Sequence, residues 1–261
     1  MILDTLAKSA RDRVENRKRE KSAEQIRREA EALGSDTGFP FRRALEQPGI
    51  SFICEVKKAS PSRGIIAEDF PYLAIAEDYA AAGAAAISVL TEPEYFLGDD
   101  RYLREIAAAV PVPVLRKDFT VDAYQIYEAK LLGAAAVLLI CAILSADQLK
   151  EYLEISRSLG LSALVEAHDE REISMALEGG AEIIGVNNRN LKDFQVDVKN
   201  SLRLREMIPP EILYVSESGI RTAEDVQALK RNGTDAVLVG ETLMRSSDRR
   251  AALASLRGGA E

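Results

Sequence analysis

Four charged residues sit at the ends of apolar runs, where a globular chain rarely spends charge without a purpose. Glu55 and Lys57 close "SFICEVK", Lys117 closes "VPVLRK" just before Asp118, and Glu166 lies in "SALVEA". Burying such groups is costly unless they are paired or used. Two ammonium groups and two carboxylates around one low-dielectric cavity would pair and shift one another's pKa values. Lys57 and Lys117 suit general acids or anion anchors, and Glu166 suits a group that accepts and returns protons. A lysine at such a place equally suits a Schiff base with a carbonyl substrate, and spacing does not separate the two roles. Strand alternation puts Ile53, Glu55 and Lys57 on one face and Phe52, Cys54 and Val56 on the other.

Three further runs end in polar or glycine-rich sequence. "EIIGVNN" supplies Asn187, Asn188 and then Arg189, "ILYVSES" supplies Ser216, Ser218 and Gly219, and "AVLVG" supplies Gly240 ahead of Glu241. "SESGI" leads into "RTAEDVQALKRNG", a helical pattern with Thr222 as its expected N-cap. Backbone amides at such helix starts bind anions, so these last two run ends suggest a phosphate site. There the Glu241 side chain is expected to point outward. His168, two residues past Glu166, is expected to be structural or at the surface. Phe96, Phe119 and Leu191 fall in loops beside these ends and together suit the walls of an apolar slot for a planar ring.

Positioning these residues requires a repeated element. From Ser51 onward there are eight short apolar runs: 51–57, 85–90, 112–117, 136–141, 162–167, 182–188, 212–218 and 236–240. Stretches such as "PYLAIAEDYAAAG", "AYQIYEAKLLG" and "SADQLKEYLEISRSLG" lie between them, with apolar residues at helical spacing. Gly83, Gly133, Gly180 and Gly233 each stand where a helix gives way to a strand, at intervals of roughly 50 residues. The pattern predicts an α/β fold, a (β/α)8 barrel, whose strands deliver catalytic residues at their carboxyl ends. An open doubly wound sheet is the competitor, but "KASPSRG" after the first run lacks the spacing of a glycine-rich nucleotide loop. The expected organisation is one domain over 1–261, with a helical extension over 1–45 and the barrel over 51–257. The extension carries a narrow stripe of Ile26, Ala30 and Leu33 and a basic cluster of Lys18, Arg19 and Lys21. It reads either as a solvated helix docked on the barrel or as a helix that brings this cluster to a phosphate-bearing mouth.

Composition excludes several classes. With 42 acidic and 34 basic residues the net charge is −8, which disfavours general nucleic-acid binding. Cys54 and Cys141 lie in apolar runs without metal-like spacing and read as buried thiols of a reducing compartment. A single histidine rules out a multi-histidine metal site. There is no transmembrane-length apolar stretch and no signal-like segment among the first twenty residues, so no membrane partner and a cytoplasmic location are expected. The expected assembly state is a monomer or weak homodimer.

The motifs "CEVKKASPSRG", "VLRKDF", "LVEAHDE", "GVNNRNL", "SESGI" and "VGETLM", in this order, resemble those of the indole-3-glycerol phosphate synthases. The resemblance runs from about residue 3 to residue 250. It implies a small-molecule substrate, 1-(2-carboxyphenylamino)-1-deoxyribulose 5-phosphate, closed to an indole with loss of carbon dioxide and water. It implies no cofactor and no metal. Lys117 would be the general acid at the ribulose carbonyl, and Glu166 would serve the later proton transfers. Lys57 would contact the substrate carboxylate or phosphate and act as a second acid, with Glu55 holding the lysines. Asn187, with Arg189 and Ser60 nearby, would bind the anthranilate carboxylate or a hydroxyl. Ser218, Gly219, Gly240 and Glu241 would form the phosphate site. Pro61, Phe96, Phe119, Leu138 and Leu191 would flank the ring.

Overall fold

A computed structural model describes residues 2–190 and 195–258. Eight parallel strands close into a barrel: β1 (Ser51–Val56), β2 (Ala86–Leu90), β3 (Val114–Lys117), β4 (Ala136–Ile140), β5 (Ser162–Ala167), β6 (Ile183–Asn187), β7 (Leu213–Glu217) and β8 (Ala236–Val239). Each pairs with its sequence neighbours, and β8 returns to β1 with Ser51 opposite Ala236 and Cys54 opposite Val239. The expected runs are thus strands, trimmed by a residue or two at their ends.

Three helices precede the barrel: α1 (Ile2–Glu20), α2 (Ala23–Ala32) and α3 (Pro40–Leu45). The helices that follow the strands are α4 (Tyr72–Ala81), α5 (Asp100–Ala109), α6 (Ala123–Leu131), α7 (Ala146–Ser158), α8 (Glu170–Gly179), α9 (Lys199–Leu204), α10 (Ala223–Arg231), α11 (Glu241–Met244) and α12 (Arg249–Leu256). Their starts are set by short polar caps. Asp99, Asp122 and Asp169 each accept a first-turn amide, and Ser145 with Gln148 and Thr222 with Asp225 form reciprocal capping boxes. Gly83, Gly133, Gly180 and Gly233 all turn with φ near +80°, the left-handed conformation that ends a helix before the next strand.

Strand alternation divides the core in two. Outward residues such as Phe52, Cys54, Ile87, Val165 and Tyr214 pack under the helices. Inward residues, including Ile53, Leu115, Leu164 and Val215, fill the barrel together with Phe41 and Leu45. Both side chains belong to α3, which therefore seals the end of the barrel where the strands begin. The filled lower barrel leaves the strand exits as the open end, where charged residues join apolar ones at the inward positions.

α1 is fastened to the flank of β3. Arg13 donates to Asp118 at 2.6 Å, and Asp118 also accepts from Thr91 at 2.7 Å. Arg17 pairs with Asp100 at 2.6 Å and with Glu128, the same two carboxylates that hold the buried Arg116. Buried charge of this kind is tolerated because each charged group faces one of opposite sign. The basic cluster does not reach the mouth, which corrects that reading of the extension. Lys18 bonds Asp122 at 2.7 Å, Lys21 bonds Glu29 at 2.7 Å, and Arg19 is exposed. The mouth is met instead by the apolar start of α1, through Ile2, Leu3 and Leu6. Among the described residues no helix is long and apolar enough to cross a membrane.

Candidate active site

Lys117 is the last residue of β3 and points inward, one step above Leu115. Glu166 of β5 meets it with Lys117 Nζ to Glu166 Oε2 at 3.2 Å, and Glu217 of β7 stands at 3.5 Å. Beside them the Lys57 ammonium donates to Glu55 Oε1 at 2.5 Å, and Ser88 Oγ lies 3.5 Å from the other Glu55 oxygen. The side chains of Glu55, Glu166 and Glu217 are 6%, 3% and 2% exposed, against 17% and 15% for Lys57 and Lys117. The carboxylates therefore form the floor, and the two ammonium groups reach toward whatever enters.

Burial alone would push Glu166 up, but the Lys117 ammonium, His168 and the Asn187 amide (3.2 Å) outweigh it and hold the carboxyl well below its usual range. Glu55 is likewise held down against burial by Lys57 and Lys117. Burial pulls Lys117 down, yet its three carboxylate neighbours raise it well above the ordinary lysine range, so it enters any reaction protonated. Glu217 differs. Burial, with Glu166 and Glu55 nearby, outweighs Lys117 and pushes it up to about 7.

Glu217 is not among the residues expected from sequence, which at this strand exit are Ser216, Ser218 and Gly219. Parity was the signal. Val215 faces the barrel interior, so Glu217 must as well, whereas Ser216 faces out and bonds Asn188 and Ser201. The same parity removes Asn188 from the mouth. Its side chain donates to Ser216 Oγ and to the Ser218 carbonyl and accepts from Ser201, tying the β6 and β7 exits together. Room for Glu217 comes from Gly185 of β6, where a Cβ would lie 2.2 Å from Glu217 Oε1. That oxygen has no hydrogen-bond partner among the described residues.

A buried carboxyl whose folded pKa is raised binds its proton more tightly than in the unfolded chain. The fold is then penalised as pH rises from about 4.5 to about 7. Glu217→Gln should remove that penalty, so its melting temperature relative to the parent should rise across this window. A gap between the two that is constant from pH 4.5 to pH 8 would contradict the assignment.

One side of the cavity is apolar. Phe96 and Phe119 stand with ring centroids 6.1 Å apart, and Pro61, Leu90, Leu138 and Ile140 complete the wall with the start of α1. Ser60 lies in a short hairpin, Ala59–Ser60 paired with Gly64–Ile65, that follows β1 and borders the same space. Asn187 and Arg189 line it from β6, with the Arg189 amide donating to Asn187 Oδ1 at 3.0 Å. Leu191, expected on this wall, lies outside the described residues.

The opposite side is a concavity bounded by Arg63, Arg189, Ser218, Gly219, Arg221, Gly240, Glu241 and Arg245. Ser218 and Gly219 turn with φ of +67° and +86°. A Cβ at Gly219 would lie 2.5 Å from Val196, and one at Gly240 would lie 2.5 Å from Glu55 Oε1 and 3.0 Å from Lys57 Nζ. These two glycines bring the β7 and β8 exits close to the cavity. The Glu241 carboxylate is occupied by Arg63 and Arg245, each at 3.1 Å.

His168 is not a surface residue. Its Nδ1 lies 2.9 Å from Glu172 and its Nε2 3.3 Å from Glu166. Its ring is mostly buried beside the charged cluster.

The sequence is similar to those of known proteins. The family model described as indole-3-glycerol phosphate synthase matches residues 3–256. A protein of that name from Ruminiclostridium cellulolyticum is 60% identical over 260 residues, covering 100% of both chains. Another from Endomicrobium trichonymphae is 56% identical over 95% of this chain and 96% of its own. Among solved structures, 3-hexulose-6-phosphate synthase from Salmonella typhimurium superposes with a TM-score of 0.66 over 80% of this chain and 97% of its own. At 13% identity, that likeness concerns the fold alone.

Proposed function

The chain belongs to the indole-3-glycerol phosphate synthase family, a carboxy-lyase family acting on a small molecule, and from that premise we propose the reaction and the role of each residue. The substrate is 1-(2-carboxyphenylamino)-1-deoxyribulose 5-phosphate. The observation that carries the reading is the Lys117 ammonium suspended between Glu166 and Glu217, beside the Lys57–Glu55 pair, with an apolar wall on one side and a glycine-lined, arginine-rimmed concavity on the other.

The arylamino ring lies against Phe96 and Phe119, and the phosphate occupies the concavity of Ser218, Gly219, Gly240 and Glu241. Asn187, Arg189 and Ser60 share the substrate carboxylate. That charge leaves as carbon dioxide, so holding it through several modest contacts avoids stabilising the ground state more than the transition state. The ring carbon bearing the carboxylate attacks the ribulose carbonyl, and the carbonyl oxygen takes a proton from Lys117. Because its carboxylate neighbours hold Lys117 firmly protonated, its first contribution is to stabilise the developing alkoxide, with proton transfer following. The bond to the carboxylate then breaks, its electrons restore the aromatic ring, and carbon dioxide departs.

Dehydration breaks the carbon–oxygen bond and removes a proton from the adjacent methylene. Lys57, supported by Glu55, supplies a proton to the leaving hydroxyl, and Glu166 accepts the methylene proton. Glu217 holds Lys117 from the opposite side and, with a pKa pushed up to about 7, is a local proton reservoir.

A steady-state assay with this substrate tests the reading. One carbon dioxide should be released per indole formed, followed by indole absorbance and fluorescence. Binding without turnover would indicate a sugar-phosphate scaffold. A covalent adduct on Lys117 after borohydride treatment would indicate Schiff-base chemistry. Either result would overturn the proposal.

A further inference from the structure

His168 does not line the cavity of Lys117 and Glu166 but a polar cavity next to it, and it stands between two carboxylates. Glu172 Oε2 accepts both the His168 backbone amide, at 2.8 Å, and the ring Nδ1, at 2.9 Å. The ring is thereby fixed in direction, and its other nitrogen faces Glu166 Oε1 at 3.3 Å. That nitrogen is buried and completes no well-aligned hydrogen bond among the described residues, so its contact with Glu166 is an ion-pair approach. A neutral imidazole bonded to Glu172 through Nδ1 would turn the Nε2 lone pair toward a carboxylate oxygen. The arrangement is favourable only when both nitrogens carry protons.

We propose that His168 is a positioning residue for Glu166: as an imidazolium anchored by Glu172, it pins one oxygen of the Glu166 carboxylate while Lys117 takes the other. The inference rests on the role given to Glu166 above. Glu166 Oε2 faces Lys117 and Oε1 faces both Asn187 and His168, so three elements fix the plane of one carboxylate. Without His168, Asn187 alone would hold Oε1, and the carboxylate could rotate away from the reacting atoms. The loop itself is held in place. Asn200 of α9 donates to the His168 carbonyl at 3.1 Å, and Asp169 caps α8 immediately after it.

The charged groups facing the ring are Glu166 of β5 and Glu172 of α8. Asp169, together with Asp4 of α1 and Asp197 and Arg189 beyond β6, lines the polar cavity on its outer side. Behind Glu166 stand Lys117 and Glu217. Acidic groups predominate. In agreement, Glu166 and Glu172 raise the imidazole to about 10 against the opposing effect of burial. The stability this pair contributes is therefore complete below the ordinary histidine pKa near 6.5 and is lost as pH rises toward 10.

His168 is the chain's single histidine, so its ring signals in an NMR spectrum need no assignment. The ring C–H shifts should remain those of imidazolium through pH 8. In Glu172→Gln they should titrate at lower pH. His168→Phe should lower kcat roughly tenfold to a hundredfold with KM changed less than threefold, and it should move the acid limb of the kcat profile to higher pH. His168→Gln, which keeps a donor toward Glu166 without the charge, should recover part of kcat but not the pH shift. Neutral ring signals at pH 7, or parental kcat and pH profile in His168→Phe, would overturn the inference. If His168→Phe fails to fold, the Glu172→Gln titration and pH profile decide. Failure of the underlying reading has a different signature, which is Glu166→Gln turning over normally whatever happens at His168.

Discussion

Lys117→Met should fold and form indole at least about a hundredfold more slowly than the parent, with KM much less affected. Methionine replaces the four-atom stem of lysine and removes the charge and all its donors, so ring closure loses both alkoxide stabilisation and the proton. A positioned acid is worth about 10²–10⁴ in rate, and charge stabilisation at a developing oxyanion is worth a comparable factor. The substitution also strips Glu166 and Glu217 of the cation between them, 3.2 and 3.5 Å away. Breaking a buried pair in this way costs about 3–5 kcal/mol when the remaining charge stays ionised. Here the carboxyls take up protons instead, so the loss of stability should be smaller at pH 5 than at pH 8. Lys117→Arg should not restore turnover, because a planar guanidinium does not fit a site shaped for a point charge. Near-parental kcat in a folded Lys117→Met protein would remove this residue as the acid.

Glu166→Gln should lower kcat by about 10²–10⁴ while leaving substrate affinity within a few-fold, since the amide cannot accept the methylene proton. The geometry adds a second expectation. A glutamine that still accepts from Asn187 through its oxygen turns its NH2 toward Lys117, so the ammonium loses its nearest anion. Lys117 then leans on Glu217 and Glu55, and its pKa falls. The base limb of the remaining activity should therefore move to lower pH. Glu166→Asp keeps the charge but withdraws it by one methylene from a contact of 3.2 Å, so it should recover only part of the rate. Equal kcat in Glu166→Gln and parent would exclude Glu166 from proton transfer.

These effects trace back to positions of unequal legibility in the chain. Alternation in "SFICEVK" was enough to put Glu55 and Lys57 on the inward face with Ile53, and they occupy it. Glu217 is equally legible by parity with Val215, but Ser216, Ser218 and Gly219 beside it carry the more conspicuous polar signal of that strand exit. His168 was less accessible. Its position follows from the cap at Asp169, which starts α8 and returns Glu172 under the ring, a turn that residue type alone does not specify. The extension was legible as helix from its composition, but not its direction. Lys18 and Lys21 are drawn to Asp122 and Glu29, and those partners lie in other elements.

From its own residues the chain sets the number of strand–helix units, the end at which charge gathers and the residue types available there, because periodicity, caps and glycine turns act over a few residues. Tertiary structure alone decides that α3 plugs the barrel with Phe41 and Leu45 and that β8 closes on β1. It also decides that Lys117 meets a glutamate from β5 and another from β7. Those meetings depend on barrel closure, strand tilt and the space left by Gly185, and no local pattern encodes a contact between residues that only the closed sheet brings together.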